Sequence, residues 1–366
     1  MSGNTFGRVL RLTTFGESHG AGIGGVIDGC PAGIPIDEGE IQAELDLRKP
    51  GSGVTGTKRK ESDAVQILSG VMDGAATGTP IGFFIKNENA RSSDYGDLAE
   101  LFRPGHADWS YYKKYNGIRD HRGGGRASGR ETAARVAGGA IAKKILSCLA
   151  NVRVEAACVE LGGAATPEDE IDLAGALRRP YFAASDRMVD VWNATVLKAR
   201  EAGETLGGIA RIVARGVPAG LGEPVFDRLD AVLAHAIMSV GAVKGVEIGA
   251  GFGAARFFGS QNNDPMYPGD TPENPRFGSN KAGGILGGIS TGEDIIIQAA
   301  AKPIASIPRE QDTVNKKGEA AKIVVGGRHD LSAIPRIIPV LSAMTALALA
   351  DALLLQRRMD INPYER

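Results

Sequence analysis

The sequence predicts an α+β fold in which β-sheets and helices form separate layers. Strand-like stretches follow one another in runs, and helical stretches are not strictly interleaved with them, which disfavours a doubly wound parallel sheet. An internal repeat predicts two pseudo-symmetric halves. The 366 residues, 43% hydrophobic and 23% charged, are enough for one large domain or two to three small ones.

The internal repeat starts near residues 16 and 203. GESHGAGIGGVIDGCPAG (16–33) aligns without a gap to GETLGGIARIVARGVPAG (203–220), and a helix-like run follows each copy. The glycines and the Pro-Ala-Gly ending that both copies share are expected to shape a turn. His19 is replaced by Leu206 in the second copy, so a role in the turn alone does not explain it. We therefore expect His19 to be functional.

The individual elements follow from hydrophobic periodicity and turn residues. Strands are predicted at residues 9–15, 24–29, 64–74 and 80–87. Helices are predicted at residues 130–149, 227–240 and 331–357. The first helix has a capping-box signal, Ser128 followed by Glu131. Residues 261–280 are rich in Pro, Asn and Gly and are predicted to form a long loop, of the kind that often forms a lid.

Composition excludes several classes of protein. A formal net charge of -1 gives no global indication of nucleic acid or an anionic membrane as partner. Cys30, Cys148 and Cys158 form no CxxC pair, which indicates free thiols in a reducing compartment. The N-terminus has no apolar run, so no signal peptide is expected. Residues 340–355 are apolar but shorter than the about 20 residues that a bilayer needs, and Asp351 interrupts them, which predicts a buried helix or a subunit interface.

Two glycine-rich stretches only imitate nucleotide-binding motifs. GAGIGG (20–25) fits G-x-G-x-x-G, but a strand and a turn follow it where a dinucleotide site needs a helix. GSGVTGTK (51–58) lacks the GK[ST] ending of a P-loop. It is better interpreted as a basic loop, although its charges could meet an anion.

Histidines and arginines cluster in glycine-rich turns, where catalytic groups collect. His19, His106, His121 and His329 lie in such turns, and His235 lies on a predicted helix. Arg126 and Arg130 are four residues apart and flank the predicted helix start, so they are expected to form an anion-binding fork. Surface salt bridges with Glu131 and Asp120 are the alternative. No metal-ligand spacing is present. The residues alone predict an acid–base enzyme that acts on a small phosphorylated or polycarboxylate ligand.

Three long motifs carry a resemblance to a known family. GESHGAGIGGVIDGCPAG (16–33), RPGHAD with GGGRASGRETAARVAGGAIAK (103–143), and GRHDLSAIPR (327–336) resemble the hallmark regions of chorismate synthases. The similarity covers essentially the whole chain and includes no flavin-reductase domain. It therefore resembles the monofunctional type.

The resemblance implies both a reaction and an architecture. Chorismate synthases convert 5-enolpyruvylshikimate 3-phosphate to chorismate and phosphate by a 1,4-anti elimination, the last step of the shikimate pathway. They need reduced FMN without net redox change, and an external NAD(P)H-dependent flavin reductase would supply it. The implied fold is a β-α-β sandwich with antiparallel sheets flanking central helices, in a single domain over 1–366. The implied enzyme is a cytoplasmic homotetramer.

The resemblance also implies roles for individual residues. The implied catalytic residues are His19, which protonates the departing phosphate, His106, which protonates reduced flavin, Asp330, which acts in removal of the C6 proton, and Ser18 and Ser128, which relay protons or position groups. The implied flavin-contacting residues are Arg126, Ala127, Ser128, Gly241, Ala242, Gly287, Lys302, Pro303, Ile304, Ala305, Ser306 and Arg328. The implied substrate-binding residues are Arg48, Lys49, Arg103 and Arg130, and Arg328 also matches this group. The predicted loop 261–280 is expected to order when FMN binds.

Some positions depart from the family pattern. Lys49 stands where the family commonly has a further arginine, so the residue that completes the phosphate clamp stays open. Leu331 and Ala127 also differ, without removing an implied catalytic group. Two other functions remain as alternatives. A flavin or nicotinamide oxidoreductase would consume NAD(P)H, but a credible dinucleotide motif is missing. An anion-binding protein without activity would leave the clustered histidines unexplained.

Overall fold

The computed structural model describes residues 3–49, 63–88, 99–271, 274–326 and 330–359. The α-helices in these ranges are α1 (Glu38–Arg48), α2 (Asp108–Lys114), α3 (Thr132–Ala150), α4 (Leu173–Ala176), α5 (Asp186–Glu201), α6 (Leu229–Met238), α7 (Gly259–Asn262) and α8 (Ile334–Met359). Short 3₁₀ helices are formed by Gly125–Ala127, Gly129–Glu131, Glu168–Glu170, Pro180–Phe182 and Gly251–Arg256.

The described strands are mostly short. They are β1 (Thr5–Phe6), β2 (Arg11–Gly16), β3 (Gly22–Asp28), β4 (Val65–Ile67), β5 (Val71–Met72), β6 (Ala75–Ala76), β7 (Ile81–Lys86), β8 (Arg153–Leu161), β9 (Ala164–Ala165), β10 (Gly208–Arg215), β11 (Val243–Ile248), β12 (Met266–Thr271), β13 (Asn274–Phe277), β14 (Ile285–Leu286), β15 (Ile289–Ser290), β16 (Ile295–Ala301), β17 (Glu310–Val314) and β18 (Ala320–Val324).

The first sheet has five described strands in the order β1-β2-β3-β7-β4, all antiparallel. Alternate residues of β7 are buried, namely Ile81, Phe83 and Ile85. Because every second residue is buried, one face of the sheet is directed toward the core. That face packs against α3, where a Cβ on Gly138 would lie 2.9 Å from the Leu12 side chain. The glycine therefore permits a close approach of helix and sheet.

The second sheet has five described strands in the order β11-β16-β10-β8-β9, again antiparallel. β16 alternates in the same way, with Ile295, Ile297 and Ala299 buried. α8 packs against β8 and β10 of this sheet and against α3. A Cβ on Gly139 of α3 would lie 2.2 Å from the Cβ of Ala343 of α8, so the two helices touch almost backbone to backbone.

Helix α8 is the core helix that the apolar run predicted. By length and composition it is the one helix in the described part of the chain that could cross a membrane, yet 94% of its most apolar window is buried inside the protein. Asp351, which interrupts the run, accepts hydrogen bonds from the backbone N–H groups of Arg8, Val9 and Leu10 at 2.9, 2.7 and 2.9 Å. A buried carboxylate in an apolar helix thus satisfies three donors that lead into β2.

The two copies of the sequence repeat occupy equivalent positions. The first copy contains β3 and the second contains β10, and each is the middle strand of its sheet. A helix follows each strand, α1 after β3 and α6 after β10. The predicted strands at 9–15, 24–29 and 80–87 and all three predicted helices are confirmed within a few residues.

Three local predictions are wrong in detail. Residues 64–74 form two short strands, because the chain turns at Gly70, whose φ is +81°. Ser128 accepts from the N–H of Arg130, and Glu131 turns away to Thr14 and Arg135, so no reciprocal capping box forms. The described part of 261–280 contains the end of α7 and the β12–β13 hairpin, so it is not a structureless loop.

Candidate active site

Consecutive glycines bring two of the predicted histidines to one stretch of backbone. Gly123 has φ of +65°, and a Cβ there would lie 2.3 Å from Cε1 of His19. Gly124 has φ of +92°, and its Cβ would lie 3.1 Å from Cε1 of His106. A side chain at Gly123 would collide with the His19 ring, and one at Gly124 would crowd His106. The left-handed backbone favours glycine as well.

His19 is oriented by its neighbour Ser18. The Ser18 hydroxyl, 8% exposed, donates to the carbonyl of Arg122 at 3.3 Å and lies 3.2 Å from Nδ1 of His19. Because the single hydroxyl hydrogen is used on the carbonyl, the hydroxyl oxygen is left to accept from Nδ1–H. The serine therefore fixes both the ring position and its Nδ1–H form.

His106 belongs to a buried ionic cluster. Its Nδ1 lies 2.9 Å from Oδ1 of Asp108, which also accepts from Arg103 and Arg119. Burial alone would raise the pKa of Asp108, but hydrogen bonds from Arg103 and His106 hold that pKa far below its usual range. The carboxylate is therefore ionised and positioned by its partners.

Two of the predicted substrate-binding arginines share an internal partner. The side chain of Arg48 is 1% exposed and hydrogen-bonds to Thr132, Gly129 and Asp63. Arg130 also pairs with Asp63, and its Nε donates to Asn87. Lys49 forms a salt bridge with Asp46 one turn back in the chain. The structure thus joins Arg48 and Arg130 through a carboxylate that the sequence did not single out.

Arg126 and Arg130 do not form the predicted fork. The α-helix begins only at Thr132, and each arginine lies in its own 3₁₀ turn. Arg126 donates to the Thr14 hydroxyl at 2.7 Å and to the carbonyl of Gly16 at 3.3 Å. Its guanidinium therefore binds strand β2, whereas that of Arg130 binds Asp63.

A chain of contacts links three of the predicted flavin segments. Glu131, next to the 126–128 segment, accepts from Arg135, and Arg135 donates to the Ser239 hydroxyl at 2.7 Å. Ser239 is two residues from Gly241, and the Ala242 carbonyl accepts from the N–H of Lys302 at 2.9 Å.

The segment 302–306 in turn lies against the His106 turn. A Cβ added to Gly105 would lie 3.5 Å from the Cβ of Ala305. Ile304 accepts from the Thr205 hydroxyl at 2.7 Å, and Ser306 is buried. Pro303 would lie 3.1 Å from a Cβ on Gly207, so the 302–306 segment also borders the second copy of the repeat.

Other predicted site residues lie at the margin or outside the described residues. Asp330 accepts a hydrogen bond from Arg336 at 2.9 Å. The segment that contains Asp330 is held near Pro303, because Ser332 in this segment pairs with Leu206. Gly287 lies in the β14–β15 turn, and among the described contacts none joins it to 302–306. Arg328, His329 and the basic loop 51–60 lie outside the described residues.

Lys302 lies in an electrostatically unfavourable position. Its pKa is lowered, first by burial and then by repulsion from Lys244. Bound phosphate or another anion would offset both effects. The segment that carries Lys302 is therefore suited to an anionic group such as a phosphate.

A cleft of about 1380 Å³ opens beside the two histidines. Arg126 and Ala127 line it, whereas His19 and His106 do not. Glu17 and Asp120 also line it and share a hydrogen bond. Burial and the neighbouring Asp120 raise the pKa of Glu17. Burial alone would also raise the pKa of Asp120, but hydrogen bonds from Arg122 hold the pKa of Asp120 low. Glu17 is therefore the member of the pair that takes up a proton first as the pH falls.

Sequence reasoning did not single out Asp108, Asp63 or the contacts of the glycine run. The signal for Asp108 was present, because it follows His106 by two residues within RPGHAD. Asp63 carried no such signal, since its partners lie 15 and 67 residues away.

Fold and site define the class of protein: an α+β enzyme with an acid–base site and several arginines for an anionic ligand. The family model described as chorismate synthase matches residues 10–354. Chorismate synthase of Desulfovibrio desulfuricans is 68% identical over 99% of this chain and 100% of that protein. Chorismate synthase of Nitratidesulfovibrio vulgaris (strain Miyazaki F) is 61% identical over 98% of this chain and 100% of that protein.

A solved crystal structure of a chorismate synthase aligns with a TM-score of 0.76 and 34% identity, over 96% of this chain and 93% of that one. The chain belongs to the chorismate synthase family. It is an enzyme of the last step of the shikimate pathway, EC 4.2.3.5, a lyase that forms chorismate and phosphate. The resemblance identified from the sequence is confirmed, and so is the α+β class.

Proposed function

We propose that this chain carries out its elimination with reduced FMN bound between the 126–128, 241–242 and 302–306 segments and the His106 turn. The observation that carries the proposal is the meeting of His19 and His106 on Gly123 and Gly124. Two proton-transfer groups next to an anion-favouring segment suit a reaction that moves a proton and expels phosphate.

His19 is proposed to protonate the departing phosphate. Ser18 accepts from Nδ1–H, so His19 is proposed to act as the doubly protonated imidazolium, which gives up the proton on Nε2 and keeps the one on Nδ1. A proton supplied as negative charge develops on the leaving oxygen lowers the barrier. Ser18 positions the ring, and Ser128, which accepts from the N–H of Arg130, helps to shape the turn beside it.

His106 and Asp330 are proposed to act on the flavin side. His106 is held by the Asp108 cluster and lies in the turn that meets Ala305. Asp330 is proposed to assist removal of the C6 proton and is held by Arg336 in the described structure.

The residues present fit reduced FMN. Lys302 gains from an anionic partner, and the positive-φ Ala242 turns the backbone next to it. When bound, reduced FMN supplies transient electron density as phosphate leaves, and it is regenerated without net redox change. The protein's part is to orient substrate and flavin and to exclude water.

Arg48, Lys49, Arg103 and Arg130 are proposed to offset the charges of the substrate, which carries one phosphate and two carboxylates. The shared partner Asp63 keeps Arg48 and Arg130 together in a buried position. We propose that substrate binding exchanges some of this internal pairing for pairing with the phosphate.

At the level of architecture we propose a β-α-β sandwich in a single domain, with α3 and α8 between the two sheets. The support is that α3 packs against β2 and β3, that α8 packs against β8 and β10, and that the helices pack against each other. We further propose a cytoplasmic homotetramer that receives reduced FMN from a separate NAD(P)H-dependent reductase.

An anaerobic assay tests the proposal. Purified protein is mixed with dithionite-reduced FMN and 5-enolpyruvylshikimate 3-phosphate, and chorismate absorbance and phosphate release are followed together. We expect equal amounts of both products, many turnovers per FMN, and none with oxidised FMN. His19→Ala should lose most of the turnover. Near-normal turnover of His19→Ala would contradict its role, and NAD(P)H consumption in step with product would favour an oxidoreductase.

A further inference from the structure

The carboxylate of Asp108 lies directly against the ring of His106. Oδ1 is 2.9 Å from Nδ1, and the side chains are 2% and 19% exposed. The contact is therefore mostly shielded from water. It lies at the start of α2, which places the aspartate on a helix and the histidine on the turn before it.

The neighbours of Nδ1 determine which form of the ring fits. Nη2 of Arg103 lies 3.0 Å from Nδ1 and 2.9 Å from Oδ1 of Asp108. An arginine nitrogen can only donate, and a carboxylate oxygen can only accept. If Nδ1 carried a lone pair, it would face the lone pairs of Oδ1 at 2.9 Å. If Nδ1 carries the proton, it and Nη2 both donate to the same oxygen. The second arrangement satisfies the buried carboxylate.

Asp108 itself is kept as an anion. Its Oδ2 accepts from the Nε and the backbone N–H of Arg103 at 2.8 and 3.1 Å, and Oδ1 also accepts from Nη1 of Arg119 at 3.1 Å. Both arginine side chains are 4% exposed. Two buried cations offset the charge of one carboxylate, so Asp108 is a poor acceptor for the histidine's proton. Its effect on the ring is one of orientation.

We propose that Asp108 is the positioning residue of His106: it keeps Nδ1 protonated and leaves Nε2, on the side of Gly124, as the nitrogen that exchanges a proton with the bound ligand. A Cβ on Gly124 would lie 3.5 Å from Nε2. The part of this inference that concerns turnover rests on the proposed role of His106, whereas the part that concerns the ring does not.

The form of the ring is tested by nitrogen NMR of the full-length protein with ¹⁵N-labelled histidine, at about pH 9, where an ordinary imidazole is neutral. We expect Nδ1–H in the wild type. In Asp108→Ala the remaining close neighbour of Nδ1 is the donor Arg103, so the ring should change to Nε2–H. Asp108→Ala/Arg119→Met removes one charge of each sign and should show the same change if the single variant does not fold. Arg119→Met alone loosens the same cluster but keeps Asp108, and should keep Nδ1–H. Signals are assigned with His106→Gln.

Two results overturn the structural part: Nε2–H in the wild type, or Nδ1–H retained without Asp108. Turnover is measured separately with reduced FMN. We expect kcat to fall about 100-fold in the Asp108 variants, the lower range for loss of an acid–base group, with FMN affinity changed less than threefold. Unchanged kcat in a variant whose ring has changed form would overturn the functional part. A wild type that makes no chorismate would instead contradict the proposed function and leave the ring result standing.

Discussion

Replacing Gly123 by alanine would put a methyl group where the ring of His19 now lies. The added Cβ would be 2.3 Å from Cε1 and 2.6 Å from Nδ1, whereas ordinary contacts start at 3.4 Å. Either the ring or the backbone must therefore move by about 1 Å. A displacement of about 1 Å at a reacting group can cost on the order of 100-fold in rate. The positive φ adds a backbone cost of about 1–2 kcal/mol.

The two costs can be separated with a second glycine. Gly74 has φ of +76°, and a Cβ there would meet nothing within 4 Å. Gly74→Ala therefore carries the backbone strain without the collision. We expect both variants to lose about 1–2 kcal/mol in the free energy of unfolding by denaturant, and only Gly123→Ala to lose about 100-fold in kcat with reduced FMN. Equal kcat values for the two variants would refute the argument that Gly123 sets the position of His19.

Three further predictions concern carboxylates, of which Asp351 and Asp63 are buried and Glu17 is half-buried. Asp351→Leu should lower the free energy of unfolding by about 4 kcal/mol, because three backbone donors lose their acceptor, and Asp351→Asn, which can keep the two bonds to Oδ1, by only about 1.5 kcal/mol; equal losses would contradict this. Asp63→Asn should cost about 3–5 kcal/mol, because Arg48 is left buried without its counter-charge, and an unchanged denaturation midpoint would count against it. Because the pKa of Glu17 is raised above 4.5, its ionisation opposes folding. Wild type should therefore lose stability relative to Glu17→Gln as the pH rises from about 4 to 7, and parallel pH curves would exclude the shift.

Elements with strong local periodicity could be predicted from the sequence. The alternation in β7 and the apolar face of α3 are properties of short stretches, and the structure keeps both. The stretch 64–74 was misassigned because its apolar residues continue across a turn at Gly70. The Ser69-Gly70 dipeptide is itself a turn signal, and the close approach of Gly70 to Pro80 and Ile81 fixes the turn there.

Candidate site residues could be proposed from the sequence, but their partners could not be predicted. Arg48 closes helix α1, where an arginine usually reaches into solvent, yet it is 1% exposed because Asp63, Thr132 and Gly129 surround it. Likewise, the four-residue spacing of Arg126 and Arg130 places both on one face of a helix only if the helix includes both residues. The turn at Ser128, where the sequence already carries a cap signal, breaks that condition and leaves the two arginines in separate 3₁₀ turns.

The first glycine of GESHG shapes a turn, as the sequence predicted for the glycines that both copies of the repeat share. Gly16 has φ of +89°, and a Cβ there would lie 2.3 Å from the carbonyl of Gly22, so it is required by the β2–β3 connection. The glycines that approach the histidines belong to another motif, which begins at Gly123, 104 positions beyond His19. Both copies of the repeat need the turn, so both keep the turn glycine. Only the first copy has the histidine, and Gly123, which contacts that histidine, lies outside the repeat. The proposed position of His19 is therefore set where the unrepeated segment 119–131 packs against a repeated turn.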